Sequence, residues 1–159
     1  DIQQVVIMRP SGGKAFEINL ENKAQLEDIS LQDTKHLLFK VHNAPKLSAK
    51  KSTLIIAGAE TVDLAGIPAE AFTSILSSFS GAKVANLSVA GKDIESLNLS
   101  KFTSLKKLTL KATGINEDAL VSIVNALPST NGVLILEASR ATAKVKAALQ
   151  SKGWTTAEN

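Results

Sequence analysis

The 159-residue chain contains no cysteine and no tyrosine, and aromatic residues make up only 4% of it. Without cysteine there are no disulfides, no thiolate metal sites and no cysteine nucleophile. Because aromatic residues are scarce, the core must be built from the aliphatic residues that dominate the 44% apolar content. Such a core suits stacked layers of leucine, isoleucine and valine, and this length favours a single domain.

Arginine is also scarce, since Arg9 and Arg140 are the only arginines among 18 basic residues. With 15 acidic residues, the net charge is +3. The other basic residues are lysines, whose hydrated point charge is poorly suited to bidentate reading of bases or phosphates. We therefore expect a lysine-solvated surface and no nucleic-acid partner.

Long apolar runs are absent, because no run approaches the roughly 18 residues of a membrane-spanning helix. We expect no transmembrane segment. The chain begins at Asp1 without an initiator methionine or a signal-like apolar stretch. We interpret it as a mature or trimmed product from which any targeting segment has been removed.

A period of 21 residues relates two segments in the middle of the chain. Leu87-Ser88-Val89 recurs as Leu108-Thr109-Leu110, and Ile94 recurs as Ile115. A fixed period in this range is typical of a solenoid, in which one supersecondary unit stacks on the next. The pattern therefore predicts parallel neighbouring strands with leucine stacked on leucine.

Aliphatic strand centres of this kind occur at Leu54, Leu87, Leu108 and Leu134. The shortest spacing leaves room only for an extended return, whereas the two longer spacings contain apolar residues at helical positions. The helical stripes are Phe72, Ile75, Leu76 and Phe79 in one spacing, and Leu120, Ile123, Val124 and Leu127 in the other. The sequence thus predicts one constant strand per coil with variable return segments.

Residues 1–35 lack this pattern and contain two candidate strands, Val5–Met8 and Phe16–Leu20. Between them, Arg9-Pro10-Ser11-Gly12-Gly13-Lys14 has the composition of a hairpin turn. We expect the hairpin to cover the open N-terminal end of the solenoid. Because Gly12-Gly13-Lys14 lacks the spacing of a phosphate-binding loop, we predict a turn and no nucleotide site.

The C-terminal segment has a helical pattern from Ala143 to Lys152, followed by Gly153 and Trp154. We expect Trp154, the only tryptophan, to pack over the last layer. The alternative is that Trp154 is an exposed anchor for a binding partner.

His36 and His42 lie in one predicted strand, where an offset of six residues places both on the same face. They would be about 20 Å apart, too far to share one metal ion, and we expect surface or edge histidines. The candidate carboxylates are scattered on predicted turns: Asp63, Glu70, Asp93 and Glu95. They show no pairing of the kind that glycosidases use, so we predict no catalytic residues, no metal and no cofactor.

The segment KKLTLKATGI, Lys106–Ile115, resembles the strand and turn of a leucine-rich repeat. IESLNLSKFTSLKKL, Ile94–Leu108, is similar to the linking half of the short repeats in bacterial cell-surface leucine-rich proteins, and its LNLS resembles their LDLS segment. The asparagine that this family places after the strand is replaced by Thr113 in one coil and Lys92 in the other. We therefore expect the family's asparagine ladder to be missing or replaced.

The resemblance implies an α/β fold, a leucine-rich-repeat-like solenoid with a parallel sheet on its concave face and helices on its convex side. The chain, 1–159, would form a single solenoid domain with an N-terminal β-hairpin cap at 1–35, repeat coils at 36–140 and a C-terminal helix cap at 141–159. Alternate strand residues would face a partner. This candidate binding face comprises Thr53, Ile55, Asn86, Ser88, Lys107, Thr109, Lys111, Val133, Ile135 and Glu137.

The resemblance also implies a non-catalytic module that binds a protein or a glycan, extracytoplasmic and either secreted or on the cell surface. We expect a monomer that binds weakly, because the candidate face lacks aromatic anchors. One alternative is weak binding of polyanions or nucleic acid through Lys40, Lys46, Lys50 and Lys51, with an affinity that falls steeply with salt. Another is an enzyme on a parallel β-solenoid, which would require clustered carboxylates.

Overall fold

The computed structural model describes residues 2–8 and 14–158 of the chain. The chain divides into two compact units, Asp1–Ser80 and Gly81–Asn159. The described residues form eight strands and three α-helices, and the strands pair in parallel within each unit. The α/β class and the parallel strand pairing are thus confirmed, whereas a single domain stays a prediction.

The first unit contains four strands and one helix. They are β1 (Gln4–Met8), β2 (Phe16–Glu21), β3 (Asp28–His42), β4 (Leu54–Ala65) and α1 (Ala69–Ser78). β1 pairs with the first part of β3 and β2 with its last part, while β4 pairs along the opposite side of β3. The predicted boundary between cap and repeat coils, at residues 35 and 36, therefore falls inside β3.

The predicted N-terminal β-hairpin is wrong. In a hairpin, the two strands would be antiparallel partners, but β1 and β2 both run parallel to β3. Gln4 lies opposite Asp28 at one end of β3, and Glu21 lies opposite His42 at the other end. Strands that run in the same direction cannot be joined by a tight hairpin turn. The predicted turn and the rejected phosphate loop at residues 9–13 lie outside the described residues.

β3 contains two irregularities that change which side chains face the core. The ladder with β4 skips Asp33, whose φ is +55°, and the ladder with β2 skips Leu37. Each extra residue is a β-bulge, after which the following side chains point to the other face. The buried residues of β3 are accordingly Ile29, Leu31, Thr34, His36, Phe39 and Val41.

The histidines of β3 therefore lie on opposite faces, and the prediction that they share one face is wrong. His36 is 3% exposed and belongs to the core, so the expected surface position is wrong for this residue. His42 is half-buried and lies beside Asp63 on the other face. Periodicity alone placed His36 incorrectly, because the bulge at Leu37 adds one residue to the count.

The second unit contains four strands and two helices. They are β5 (Asn86–Ala90), β6 (Lys107–Lys111), α2 (Glu117–Ala126), β7 (Val133–Leu136), α3 (Ala143–Ser151) and β8 (Thr155–Glu158). The strands pair in the order β5, β6, β7 and β8. As the residue spacings predict, a helix connects β6 to β7 and an extended return connects β5 to β6, and α3 connects β7 to the additional strand β8.

The predicted stacking of leucines is confirmed in the second unit. Leu87 lies directly opposite Leu108, and Leu108 lies opposite Leu134, with no more than 1% of any of the three exposed. Leu54 belongs to the first unit, where it lies opposite Leu31. Three fully buried side chains in adjacent strands stabilise this register, because a shift by one residue would expose all of them.

Trp154 packs in the core of the C-terminal segment, as predicted, but the segment also contains a strand that was not predicted. Trp154 is 2% exposed, and its Nε1 donates a hydrogen bond to the Pro128 carbonyl at 2.7 Å. The ring lies against Gly132, where a Cβ would come within 2.6 Å of it. β8 then pairs with β7 and adds a fourth strand to the sheet, so the predicted helix cap is incomplete.

Candidate binding surface

The second unit brings most of the predicted binding face together. Asn86, Lys107 and Val133 lie opposite one another in a first row across the strands. Ser88, Thr109 and Ile135 form a second row. All six alternate with the buried leucines and are exposed or half-buried. The side chains therefore lie on the sheet face opposite the core, as the alternation in the sequence predicts.

β8 extends both rows, which the sequence interpretation missed. Thr155 lies opposite Val133, and Ala157 lies opposite Ile135. The segment was interpreted as the end of a cap, although two consecutive β-branched threonines at 155 and 156 favour a strand. We call the eight residues of these two rows the outer face: Asn86, Ser88, Lys107, Thr109, Val133, Ile135, Thr155 and Ala157.

The outer face has an apolar centre beside a basic strand. Val133 and Ile135 are half-buried neighbours of Thr109, whereas Lys107 and Lys111 are exposed at the two ends of β6. Lys111 lies opposite Ala90, one row beyond Thr109. Such a mixture of β-branched side chains with charges at its margin is common in the contact surfaces of non-obligate complexes.

Glu137, also predicted to face a partner, instead holds the turn after β6. Its Oε1 accepts a hydrogen bond from the Ala112 amide at 2.6 Å, and Arg140 lies 3.7 Å from its Oε2. The Ala112 amide, aided by the charge of Arg140, lowers the pKa of Glu137. Arg140 also donates to Thr113 Oγ1 at 2.8 Å and to the Ile115 carbonyl. The carboxylate of Glu137 therefore makes its contacts within the protein, to Ala112 and Arg140, instead of facing a partner.

The last two residues of the predicted face, Thr53 and Ile55, belong to the first unit and are both exposed. Ile55 lies opposite Gln32, which lies opposite Met8 on its other side. Ile55 is 55% exposed, Met8 61% and Val6 51%. This apolar edge was not predicted, because the hairpin interpretation gave β1 the wrong partner.

A charged cluster lies on the same side of the first unit, near the ends of β2, β3 and β4. His42 Nε2 is 2.8 Å from Asp63 Oδ1, and Lys40 forms an ion pair with Glu21. The hydrogen bond from Lys40 lowers the pKa of Glu21, and the same contact raises the pKa of Lys40. Lys40 and Glu21 thus compensate each other's charge, and Asp63 lies within ion-pair distance of His42.

The lysines proposed to attract polyanions are also largely engaged. Lys51 forms an ion pair with Glu27, whose pKa it lowers through the same hydrogen bond, and Lys46 Nζ donates to Gln25 Oε1 at 2.5 Å. Because exposed pairs are individually weak, they do not immobilise the lysines. The carboxylate of Glu27 does reduce the local positive charge that a polyanion would encounter at Lys51.

Asparagines stack at the ends of β2 and β3 in the first unit. Asn22 and Asn43 have φ values of +54° and +53°, and Asn43 Nδ2 donates to Asn22 Oδ1 at 2.8 Å. Gly66, with φ +61°, takes the next position after β4. Asparagine and glycine tolerate this left-handed conformation. The signal was present as Leu20-Glu21-Asn22 and Val41-His42-Asn43, again 21 residues apart.

Two open clefts occur in the second unit. One, of about 360 Å³, lies between residues 96–99 and α2, and Leu97 and Ile123 line it. The other, of about 260 Å³, lies between α3 and β8 beside Trp154. Neither cleft contains two ionisable side chains that could act as an acid–base pair.

The described part of the chain contains no group of three or more histidine, aspartate or glutamate side chains placed to hold a metal ion. Among residues 2–8 and 14–158, no helix has both the length and the hydrophobicity needed to cross a bilayer. A scan with models of protein families, a search of curated proteins and a search of solved structures found no match for this chain.

Proposed function

We propose that the chain is a non-catalytic interaction module, a leucine-rich-repeat-like solenoid that binds a protein or a glycan through the outer face. The observation that supports this proposal best is the register of β5 to β8. Residues from four strands lie opposite one another on one exposed face. A partner can therefore contact several strands at once, and the spacing between its contacts is set by the sheet.

The composition of the outer face favours weak or moderate affinity. The large aromatic side chains that usually dominate tight interfaces are missing from it. Phe102 and Trp154 of the same unit are buried. Binding then depends on Val133 and Ile135 at the centre and on Lys107 and Lys111 at the margin.

An extracytoplasmic location is part of the proposal, and it is supported by the resemblance to bacterial cell-surface leucine-rich proteins. Fractionation of cells that express the full-length gene product tests it directly. Recovery of the protein only from the cytoplasm would contradict it.

Weak polyanion binding is the second candidate function, and the exposed lysines favour it. Its weakness is that Lys40, Lys46 and Lys51 contact Glu21, Gln25 and Glu27. Retention on heparin distinguishes the candidates, because counterion release makes polyanion affinity fall steeply between 50 and 200 mM salt. A partner of the outer face would lose much less affinity over that range.

The main experiment places a photo-crosslinking amino acid at Thr109, in the centre of the outer face. The matched control places it at Asn125, an exposed position on α2. We expect a defined crosslinked partner from position 109 only. The variant Thr109→Arg should then lose binding to that purified partner, whereas Asn125→Arg should retain it. Equal crosslinking from both positions, or binding unaffected by Thr109→Arg, would contradict the assignment of the face.

A further inference from the structure

Thr34 and His36 are the only buried polar side chains in the described residues, with 0% and 3% exposure. They lie two residues apart in β3, between the bulge at Asp33 and the bulge at Leu37. The segments before and after them bury aliphatic and aromatic side chains. The core of the first unit thus contains one polar site, and two backbone irregularities delimit it.

The bulge at Asp33 explains why this pair is buried. A regular strand that buries Ile29 and Leu31 would go on to bury Asp33 and Lys35. Burying two charges costs several kcal/mol each, and this bulge replaces them in the core with Thr34 and His36. The same shift places the side chain of Leu37 on the opposite face, where it is 49% exposed. The core therefore tolerates His36 only as a neutral side chain.

The immediate surroundings of His36 contain no anionic group to balance a positive charge. Its ring packs edge-on against Phe16 at 4.7 Å and Phe39 at 5.4 Å between centroids. Nε2 lies 2.9 Å from Thr34 Oγ1, and the buried Nδ1 has no hydrogen-bond partner in the described structure. Burial lowers the pKa of His36 to about 4.

The charged side chains of the packed strands do not face this site. They are exposed or lie on the other sheet face: Glu17 of β2, Lys35 and Lys40 of β3, and Glu60 and Asp63 of β4. Glu70 of α1 is also exposed. Desolvation is the single cause of the lowered pKa, and a protonated imidazole would have no carboxylate to pair with.

We propose that His36 is an acid-sensitive latch: when it is protonated, the imidazolium leaves the core past Phe16 and β2 separates from β3. This direction follows from the strand order. Within residues 2–8 and 14–158, β2 pairs only with β3. Phe16 of β2 is half-buried, whereas β4 on the other side of β3 packs against α1. Edge elements with few contacts open at lower free energy than central ones.

The test is amide hydrogen exchange of the full chain at pH 7 and pH 5, corrected for intrinsic exchange rates. If the open form restores an ordinary histidine pKa near 6.5, protection of the β2 amides should fall roughly 20-fold between these pH values. The amides of β6 serve as an internal reference and should keep their protection. Unchanged protection of β2 in the wild type would overturn the proposal.

Two variants complete the test. His36→Leu should abolish the acid-induced loss in β2, whereas His42→Asn, on the other face of β3, should behave like the wild type. An equal loss in His36→Leu would overturn the proposal. If that variant does not fold, imidazole titration by NMR in the wild type decides: loss of the β2 amides should follow protonation of His36. Protonation of His36 with β2 still protected would overturn it.

Discussion

The two units use parallel strands in the same way but differ in the turns that follow their strands. In the first unit, asparagine and glycine occupy the left-handed positions, and Asn43 bonds directly to Asn22. In the second unit, Ala112 occupies such a position with φ +49° after β6, and Glu137, which directly follows β7, accepts its amide hydrogen. The Asn22 and Asn43 amides donate to the carbonyls of His42 and Ala65, so either a backbone carbonyl or a side-chain carboxylate from the neighbouring segment can accept the amide hydrogen of such a turn.

The cores of the two units also differ in how regular their strand register is. The second unit stacks leucine on leucine in an uninterrupted register, whereas the first unit interrupts its long strand with two bulges around a polar pair. Regular packing leaves a regular period in the sequence. Bulges erase the period without ending the strand, because they shift the alternation by one residue.

The largest effect is expected from the regular core. Leu108→Ala should lower the free energy of unfolding by about 3 kcal/mol, because Leu108 is fully buried between Leu87 and Leu134 and the substitution leaves a cavity. The measurement is urea unfolding followed by the fluorescence of Trp154. Lys107→Ala, on the exposed face of the same strand, is the control and should change stability by less than about 0.5 kcal/mol. Equal effects would show that the leucine register is not what stabilises this unit.

The next largest effect should be a pH dependence of stability that originates at His36 in the first unit. His36 has a folded pKa below its unfolded value, so the unfolded state binds more protons between about pH 4 and 6.5. Stability therefore falls as the pH is lowered through this window, by about 2 kcal/mol from pH 7 to pH 5. Urea unfolding followed by circular dichroism measures it. His36→Leu should remove most of this dependence, and a pH dependence that persists unchanged would assign it to other groups.

Much of the second unit could be predicted from the sequence. The 21-residue period fixed which residues of β5 and β6 lie opposite each other, and helical spacing predicted α2 around Leu120, Ile123 and Val124. These features depend on local periodicity and on large apolar side chains, which dominate packing free energy. The orientation of Val133 and Ile135 on the outer face followed from the same alternation.

The first unit could not be predicted in the same way. The partner of β1 is β3, which begins 20 residues after β1 ends, and no local pattern specifies that pairing. A bulge at Asp33 requires a left-handed backbone at a non-glycine residue, and only tertiary packing can offset the cost of that conformation. Glu137 was assigned to the binding face for a related reason: alternation indicates which way a strand residue points, but not that a neighbouring turn offers a free amide.

A smaller effect should come from the turn that Glu137 holds. Glu137→Ala should lower stability by about 1–2 kcal/mol, since it leaves the Ala112 amide without its acceptor. Glu137→Gln keeps an oxygen acceptor and should cost less. Because the pKa of Glu137 is lowered in the folded state, its contribution is present above its ordinary pKa and is lost as the pH falls through the folded pKa. Urea unfolding at pH 7 gives the free energy of unfolding of the wild type and of both variants. An equal loss of stability in the two variants would show that the charge of Glu137, and not its hydrogen bond, stabilises the turn.

The smallest expected effect makes the second unit more like the first. Ala112→Gly should raise stability by roughly 0.5–1 kcal/mol, because glycine removes the steric cost of φ +49° and this gain exceeds the entropy that glycine adds to the unfolded chain. Ala147→Gly, at an exposed position within α3, is the matched control and should lower stability by about 1 kcal/mol. Thermal unfolding of both variants beside the wild type gives the sign. If Ala112→Gly is destabilising like the control, the entropy that glycine adds to the unfolded chain outweighs the strain relieved at φ +49°, and the asparagine turns of the first unit offer no advantage over Ala112.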